Sequence, residues 1–304
     1  MKRVIIFLLF SFTLTAIIPA QVKFAVIPDS PRPGDPVTIG TDTAANEALL
    51  FVNGKEVAKA KTFSVPAEGG QRGFTAAILA VPSTANSGDA VIRLNNERGA
   101  VVCEIPITIA PREFRSETIQ LTPALTSLVS DPDPQKTAES NRLWQILTTT
   151  GNQVYHTGQF VLPVTATRRT SQFGTRRVNE YSDGRKVTSI HAGVDFGIPT
   201  GTQVGACGAG RVILARMRIV TGNSIIIEHA PGVYSIYYHL DSISAQEGAM
   251  VRAGEVIGLS GSTGFSTGPH LHWELRISTE NTDPDIFVAR PVLDKNLIIS
   301  RIYN

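Results

Sequence analysis

The sequence is poor in cysteine and nearly balanced in charge. Among its 304 residues only Cys103 and Cys207 are cysteines, and neither has a cysteine or histidine at close metal-site spacing. We therefore expect two single buried thiols without chemistry, the alternative being one disulfide between two domains. The formal net charge is +2 and charged residues make up 18% of the chain. This composition indicates neither a nucleic-acid-binding protein nor an acidic solvating one.

Long hydrophobic runs are missing after the first 18 residues. Lys2 and Arg3 precede an apolar or hydroxyl run at 4–18, which is followed by Pro-Ala-Gln. This run is short for a membrane-spanning helix, which needs about 20 residues, so residues 1–20 are predicted to be a signal peptide and not a retained anchor. The mature protein is then expected in the periplasm or cell envelope, without stable membrane insertion.

Turn signals divide most of the remaining chain into short strands. Asn53-Gly54 between two β-branched runs is typical of a type I′ hairpin, and a helix is predicted near 138–147. The fold class is therefore predicted to be mainly β, with an immunoglobulin-like sandwich followed by an antiparallel-sheet domain. The predicted divisions are an immunoglobulin-like spacer or binding module (21–112), a partly helical connector (113–159), the second β domain (160–284) and a carboxy-terminal tail (285–304).

Five of the six histidines lie in the second predicted domain, and two segments have metal-ligand spacing. His191 and Asp195 have glycines and a proline nearby, which argues for a strand, where their even separation puts both side chains on one face. Gly193 between them would leave room for an ion. The segment 270–274, His-Leu-His-Trp-Glu, alternates strictly, so its two histidines face the same space. Imidazole with one carboxylate favours zinc, and a catalytic zinc takes three protein ligands, so four candidates compete for three places.

The chain lacks a His-Glu-x-x-His motif and therefore the glutamate base of many zinc peptidases. Zinc brings the pKa of bound water to about 7, and the pKa of free histidine is about 6.5. The two values are close, so a neutral imidazole is a suitable proton acceptor for that water. His239 and the histidine of the 270–274 segment that does not bind metal are candidates for this role. Tyr237 shares the face of His239 if the strand alternates, and is a candidate substrate-binding residue. His229 is predicted to be structural, and His156 to be solvated.

Together these motifs resemble the lysostaphin/LytM-type zinc metallopeptidases over residues 160–284. The segments that carry the resemblance are Ser171-Gln-Phe-Gly, His191-Ala-Gly-Val-Asp195-Phe, Gly222-Asn-Ser-Ile, Tyr237-Tyr-His239-Leu, and Ser262-Thr-Gly through Gly268-Pro-His270-Leu-His272-Trp. The resemblance implies one zinc ion held by His191, Asp195 and His272. It places His270 and His239 in catalytic positions, and it implies a small antiparallel sheet beneath a groove walled by loops.

The resemblance also implies hydrolysis of peptide cross-links or stems of peptidoglycan by a metal-bound water. Arg176 belongs to a basic cluster before His191 and is a candidate substrate-binding residue, because the cluster could attract anionic wall polymer; a merely solvated loop is the alternative. Peptidoglycan is the expected partner, without nucleic acid, and the chain is expected to be monomeric.

Two non-enzymatic functions are compatible with the same sequence. Some family members have lost ligands and act as silent regulators of other wall hydrolases, whereas none of the positions named above is missing here. The other alternative is a metal-stabilised adhesin that acts through its amino-terminal module.

Overall fold

The computed structural model describes residues 22–304. The predicted signal peptide lies outside these residues. The described part contains two four-stranded sheets, one three-stranded sheet and one ten-stranded sheet, so the prediction of a mainly β chain is confirmed. Within 22–304 no helix is both long enough and apolar enough to cross a membrane.

The first domain is a sandwich of two antiparallel sheets. Its strands are β1 (Phe24–Ile27), β2 (Pro36–Thr41), β3 (Glu47–Val52), β4 (Lys55–Lys61), β5 (Phe63–Val65), β6 (Phe74–Ala80), β7 (Gly88–Asn95) and β8 (Val101–Ile109). One sheet has the order β1-β2-β6-β5 and the other β4-β3-β7-β8. Apolar side chains of both sheets, including Val37 and Ile92, form a common buried core. Asn53 and Gly54 have φ of 51° and 75°, which is the backbone of a type I′ turn, so the predicted hairpin is confirmed.

The connector contains one strand and two capped helices. These elements are β9 (Ser116–Gln120), α1 (Pro123–Ser130) and α2 (Pro134–Thr148). Each helix has proline at its start, where no backbone donor is needed, and a side-chain cap from Thr122 or Asp133. The predicted helix is therefore confirmed, and its residues Ile146 and Leu147 are buried against the second domain. Strand β9 was not predicted.

The second domain is built on the ten-stranded sheet. The strands of the remaining chain are β10 (Arg169–Ser171), β11 (Arg176–Glu180), β12 (Lys186–Ile190), β13 (Val194–Phe196), β14 (Gln203–Gly205), β15 (Gly210–Arg218), β16 (Gly222–Ala230), β17 (Val233–Ile243), β18 (Met250–Val251), β19 (Val256–Ser260), β20 (Leu271–Ile277) and β21 (Glu280–Thr282). The main path runs β10-β13-β20-β17-β16-β15-β18, with β19 between β14 and β17 and β21 beside β20. Strands β16, β17 and β20 are almost entirely buried because apolar clusters cover both faces of the sheet.

A separate three-stranded sheet joins the connector to the second domain. Strand β11 pairs antiparallel with β12 and parallel with β9. The parallel pair is a departure from the antiparallel pattern that the sequence predicts. Because β9 lies before α1 and α2 in the chain, this pairing brings a connector strand to the second domain.

The carboxy-terminal residues, predicted only as a tail, form two helices, α3 (Asp285–Ala289) and α4 (Lys295–Tyr303). Helix α4 packs on β1 and β2 of the first domain. At the contact, a Cβ on Gly40 would lie 2.3 Å from Cγ2 of Ile298, so only glycine allows this close approach. Thr38 Oγ1 also donates to the Val292 carbonyl at 3.1 Å. The end of the chain therefore packs against its first domain.

Candidate functional site

A cleft of about 720 Å³ opens between the ten-stranded and three-stranded sheets. The ten-stranded sheet contributes buried polar residues to it, and strand β9 and the loop 265–269 contribute further lining. This loop is part of the glycine-rich segment that precedes β20. The cleft is therefore assembled from the connector and from the second domain.

Three predicted ligands converge in this cleft. His191 precedes β13, Asp195 is the middle residue of β13, and His272 lies opposite Asp195 in the register of β13 with β20. The Nε2 atom of His191 lies 3.0 Å from Nδ1 of His272 and 3.0 Å from Oδ1 of Asp195. Nδ1 of His272 lies 2.7 Å from the same oxygen. All three residues are buried, so the atoms form a compact triangle of donors, which we call the ligand triangle.

Hydrogen bonds on the far side of each ring fix the tautomers of the two histidines. His191 donates from Nδ1 to the Gln172 carbonyl at 2.9 Å, and His272 donates from Nε2 to Oε1 of Glu274 at 3.0 Å. Since a carbonyl and a carboxylate only accept, these ring nitrogens carry the protons. The opposite nitrogens face Asp195 and each other, and they would offer lone pairs to a metal ion that displaces the protons shared with Asp195, as in metal sites where an outer partner orients each imidazole.

The ligand triangle fits a zinc ion in both chemistry and size. Two imidazole nitrogens and one carboxylate oxygen are a known set of three ligands for catalytic zinc. Bonds of about 2.0–2.1 Å in a tetrahedron separate neighbouring ligand atoms by about 3.3 Å. The edges of 2.7–3.0 Å therefore need to widen by only a few tenths of an ångström.

Carboxylates surround His272 and make the ligand triangle favourable for a cation. Burial would raise the pKa of Asp195, but hydrogen bonds from His191 and His272 hold it far below its usual value. Burial would likewise raise the pKa of Glu274, but Arg276 and His272 lower it to about 2. Burial alone would lower the pKa of His272, yet the two carboxylates raise it to about 9. The negative charge that retains a proton here also attracts a metal ion in its place.

His239 and His270 lie beside the ligand triangle with one free ring nitrogen each. His239 donates from Nδ1 to the Thr263 carbonyl at 2.8 Å, and His270 from Nδ1 to the Gly268 carbonyl at 2.8 Å. Their ring centroids are 4.7 Å apart, and Nε2 of His270 lies 3.9 Å from Oδ1 of Asp195. Burial, followed by the neighbouring histidines, lowers the pKa of His239 to about 3. Since both Nδ1 atoms donate to backbone carbonyls, the Nε2 atoms of these two cleft-lining rings are the ones that carry lone pairs.

Tyr237 does not reach the cleft, contrary to its predicted role in substrate binding. It is fully buried, and its hydroxyl accepts from the Cys207 backbone N–H at 2.8 Å. The register of β16 with β17 shifts between Tyr237 and Leu240, and His239 has a positive φ of 61°. A bulge of this kind breaks the alternation of side chains, so Tyr237 and His239 do not share a face.

Arg176, the other predicted substrate-binding residue, does not line the cleft. Its guanidinium donates to the Ser83 carbonyl at 2.6 Å and lies 4.2 Å from the ring centroid of Phe114. Arg177, the next residue, lines the cleft and donates to Oδ2 of Asp195 at 3.0 Å. Nothing in the sequence around Arg176 and Arg177 indicates which of the two side chains faces the cleft, so Arg177 was missed.

Gly193 has a different role from the one predicted. A Cβ there would lie 2.1 Å from the backbone oxygen of Trp273, so the glycine allows β20 to approach and does not make room for an ion. His229, predicted to be structural, is fully buried, whereas His156, predicted to be solvated, is half-buried outside the cleft. Both cysteines are free; Cys207 is fully buried as predicted, but Cys103 is only partly buried, so the prediction of two buried thiols is wrong for Cys103. The alternative of a disulfide between them is therefore wrong.

Comparison with known proteins relates part of the second domain to peptidases. Residues 189–284 match the family model described as Peptidase family M23. The DD-carboxypeptidase/endopeptidase Mpg of Neisseria meningitidis is 43% identical over 129 residues, which cover 42% of this chain and 29% of that protein. The peptidoglycan DD-endopeptidase ShyA of Vibrio cholerae is 41% identical over 108 residues, covering 36% of this chain and 24% of that protein. The chain thus spans less than a third of these relatives.

Similarity to a solved structure extends over most of the chain. A putative peptidase M23 from Pseudomonas aeruginosa superposes with a TM-score of 0.59 over 85% of this chain and 94% of that chain. The sequence identity is 22%, so this similarity concerns the fold alone. The superposed part of the chain is longer than residues 189–284, the segment that matches the family model.

Proposed function

We propose that this chain, whose residues 189–284 match the model of peptidase family M23, is a zinc-dependent endopeptidase that cleaves peptide cross-links or stems of peptidoglycan. The observation that carries the proposal is the convergence of three ligand atoms and two free imidazole nitrogens in one open cleft. The printed names of relatives that share this domain include peptidoglycan endopeptidases. Peptidoglycan lies outside the cytoplasmic membrane, which agrees with the signal-peptide pattern of residues 1–20.

In the proposed reaction, His191, Asp195 and His272 hold one zinc ion. When bound there, zinc supplies Lewis acidity toward a water molecule and a peptide carbonyl. His270 and His239 handle protons at their Nε2 atoms, first accepting one from the nucleophile and then delivering one to the leaving amine. The carbonyls of Gly268 and Thr263 hold these two rings in orientation.

Digestion of purified sacculi by the full chain tests the proposal. We expect mass spectrometry to detect newly released peptide fragments, whose release stops with a chelator and resumes with zinc. His270→Ala should retain zinc and lose hydrolysis, whereas His272→Ala should lose both because a ligand is removed. His156→Ala, which changes a histidine outside the cleft, is the control.

Two results would overturn the proposal. Wild-type protein that binds stoichiometric zinc but releases no fragments at high concentration would favour the silent regulator. Undiminished hydrolysis by His270→Ala would contradict the assigned division between ligand and proton-handling histidines.

A further inference from the structure

We propose that Glu117 of strand β9 is a positioning residue for the metal centre, acting through Arg177 on Asp195. The inference rests on the proposed function, since it concerns the same ligand triangle. Glu117 belongs to the connector and lies outside residues 189–284, which match the peptidase family. The connector would then be part of the active site and not merely a spacer between domains.

The proposal rests on a continuous set of short contacts behind Asp195. Oε1 of Glu117 accepts from Nε of Arg177 at 2.6 Å and from Oγ of Ser171 at 3.1 Å. Nη2 of Arg177 donates to Oγ of Ser171 at 2.8 Å and to Oδ2 of Asp195 at 3.0 Å. The guanidinium therefore bridges a connector carboxylate and a ligand carboxylate, with the serine hydroxyl between them.

These contacts constrain how Asp195 presents its two oxygens. Oδ1 faces the ligand triangle while Oδ2 is held by Arg177. The terminal torsion of an aspartate is soft, so without this hydrogen bond the carboxylate could rotate and offer either oxygen. Because only 19% of the Arg177 side chain and 11% of the Asp195 side chain are exposed, the charge-assisted bonds between them are shielded from water and hold their geometry.

Glu117 balances the charge of Arg177 as well as orienting it. An arginine beside a ligand carboxylate draws negative charge away from the metal position, and a second carboxylate on the arginine reduces that effect. Nε of Arg177 points to Glu117 and Nη2 points to Asp195, so one planar guanidinium serves both carboxylates. Removing Glu117 is therefore expected to loosen Arg177 and to weaken the negative field in the ligand triangle.

The fold fixes Glu117 in this position by backbone pairing. Glu117 lies opposite Arg177 in the parallel register of β9 with β11, so both side chains leave the same face of the sheet. Glu117 and Ile119, which is the next residue on the same face of β9, both line the cleft. Beyond the strand, Thr126 in α1 accepts from the backbone N–H of Ser182 at 3.0 Å. The connector therefore contacts the β11–β12 hairpin twice, through the pairing of β9 with β11 and through the hydrogen bond of Thr126 to the turn.

Zinc affinity of the full chain, measured by competition with a chromophoric chelator, tests the role of Glu117. Loss of an outer-shell partner reduces metal affinity by about 10- to 100-fold in known sites, and we expect Glu117→Gln to bind zinc about 10-fold more weakly. Glu180→Gln is the matched control, because Glu180 lies in the same sheet and has its own cationic partner, Lys186, at 2.6 Å. Its zinc affinity should equal that of the wild type.

A double-mutant cycle separates positioning from a general effect of charge. If Glu117 acts through Arg177, Glu117→Gln should cause no further loss of zinc affinity in the Arg177→Met background. The same loss in both backgrounds, or no loss in Glu117→Gln itself, would overturn the inference while leaving the proposed function intact. Wild-type protein that binds no zinc would overturn both. Circular dichroism and thermal unfolding of each variant confirm that it is folded.

Discussion

Glu274 is expected to have two separable roles, one in the stability of the fold and one in zinc binding. It is 3% exposed and lies between His272 and Arg276, accepting from Nε of Arg276 at 2.7 Å. Glu274→Ala leaves the Arg276 cation without its carboxylate. Removing one partner of a buried ion pair destabilises a protein by about 3–5 kcal/mol, and because 17% of the Arg276 side chain is exposed we expect about 3 kcal/mol.

Glu274→Ala also removes the acceptor that holds the proton of His272 on Nε2. The ring can then rotate or change tautomer, so zinc affinity should fall by about 10- to 100-fold. The two effects separate in the double variant Glu274→Ala/Arg276→Met. It lacks the uncompensated cation, so it should recover most of the lost stability, but it still lacks the acceptor for His272 and should bind zinc as weakly as the single variant.

Urea unfolding of the metal-free proteins measures the first effect, and zinc competition with a chelator measures the second. Recovery of zinc affinity together with stability in the double variant would refute the reasoning, because it would show that Glu274 acts on the metal only by keeping the protein folded. A single variant as stable as the wild type would refute the magnitude assigned to the ion pair.

Two further predictions concern the buried interior behind the site. Ser235 Oγ contacts Nε2 of His229 at 2.7 Å and donates to the Tyr237 hydroxyl at 3.0 Å. Ser235→Ala removes one hydrogen-bond partner from each of these buried groups and should lower the free energy of unfolding by about 1–3 kcal/mol with unchanged zinc affinity. Reduced zinc affinity would contradict a purely structural role. Burial raises the pKa of Cys207 to about 12, so a thiol reagent should modify Cys103 in the native protein and Cys207 only after urea is added; labelling of both without urea would contradict its burial.

Local sequence patterns predicted the parts of the site that depend on neighbouring residues. Asp195 and His272 lie in short strands whose flanking apolar residues enter the core, so their side chains had to face the other side. The same alternation placed Glu274 on the face of His272, although no role was assigned to it. Asn53-Gly54 predicted its hairpin because the two residues tolerate the positive φ that the turn requires.

The positions of Arg176 and Tyr237, both outside the cleft, show where the alternation of side chains along a strand is a poor guide. A shift of one residue sends a side chain to the opposite face of a strand. Arg176 and Arg177 are adjacent, so a small error in strand register exchanges their environments. Tyr237 was placed with His239 on the assumption of a regular strand, and the bulge in β17 that separates them has no glycine or other turn signal at that point in the sequence.

The contribution of β9 was inaccessible to local reasoning for a different physical reason. Parallel strands cannot be joined by a tight turn, so their partners lie far apart in sequence and share no hairpin signature. Between β9 and β11 the chain forms α1, α2 and β10, and the segment around β9 is short and half-exposed, which is also the pattern of an ordinary linker. Glu117 acquires its relation to Asp195 only when β9 pairs with β11. A site defined by residues 189–284 alone therefore omits a carboxylate that, in the folded chain, is one arginine away from a proposed metal ligand.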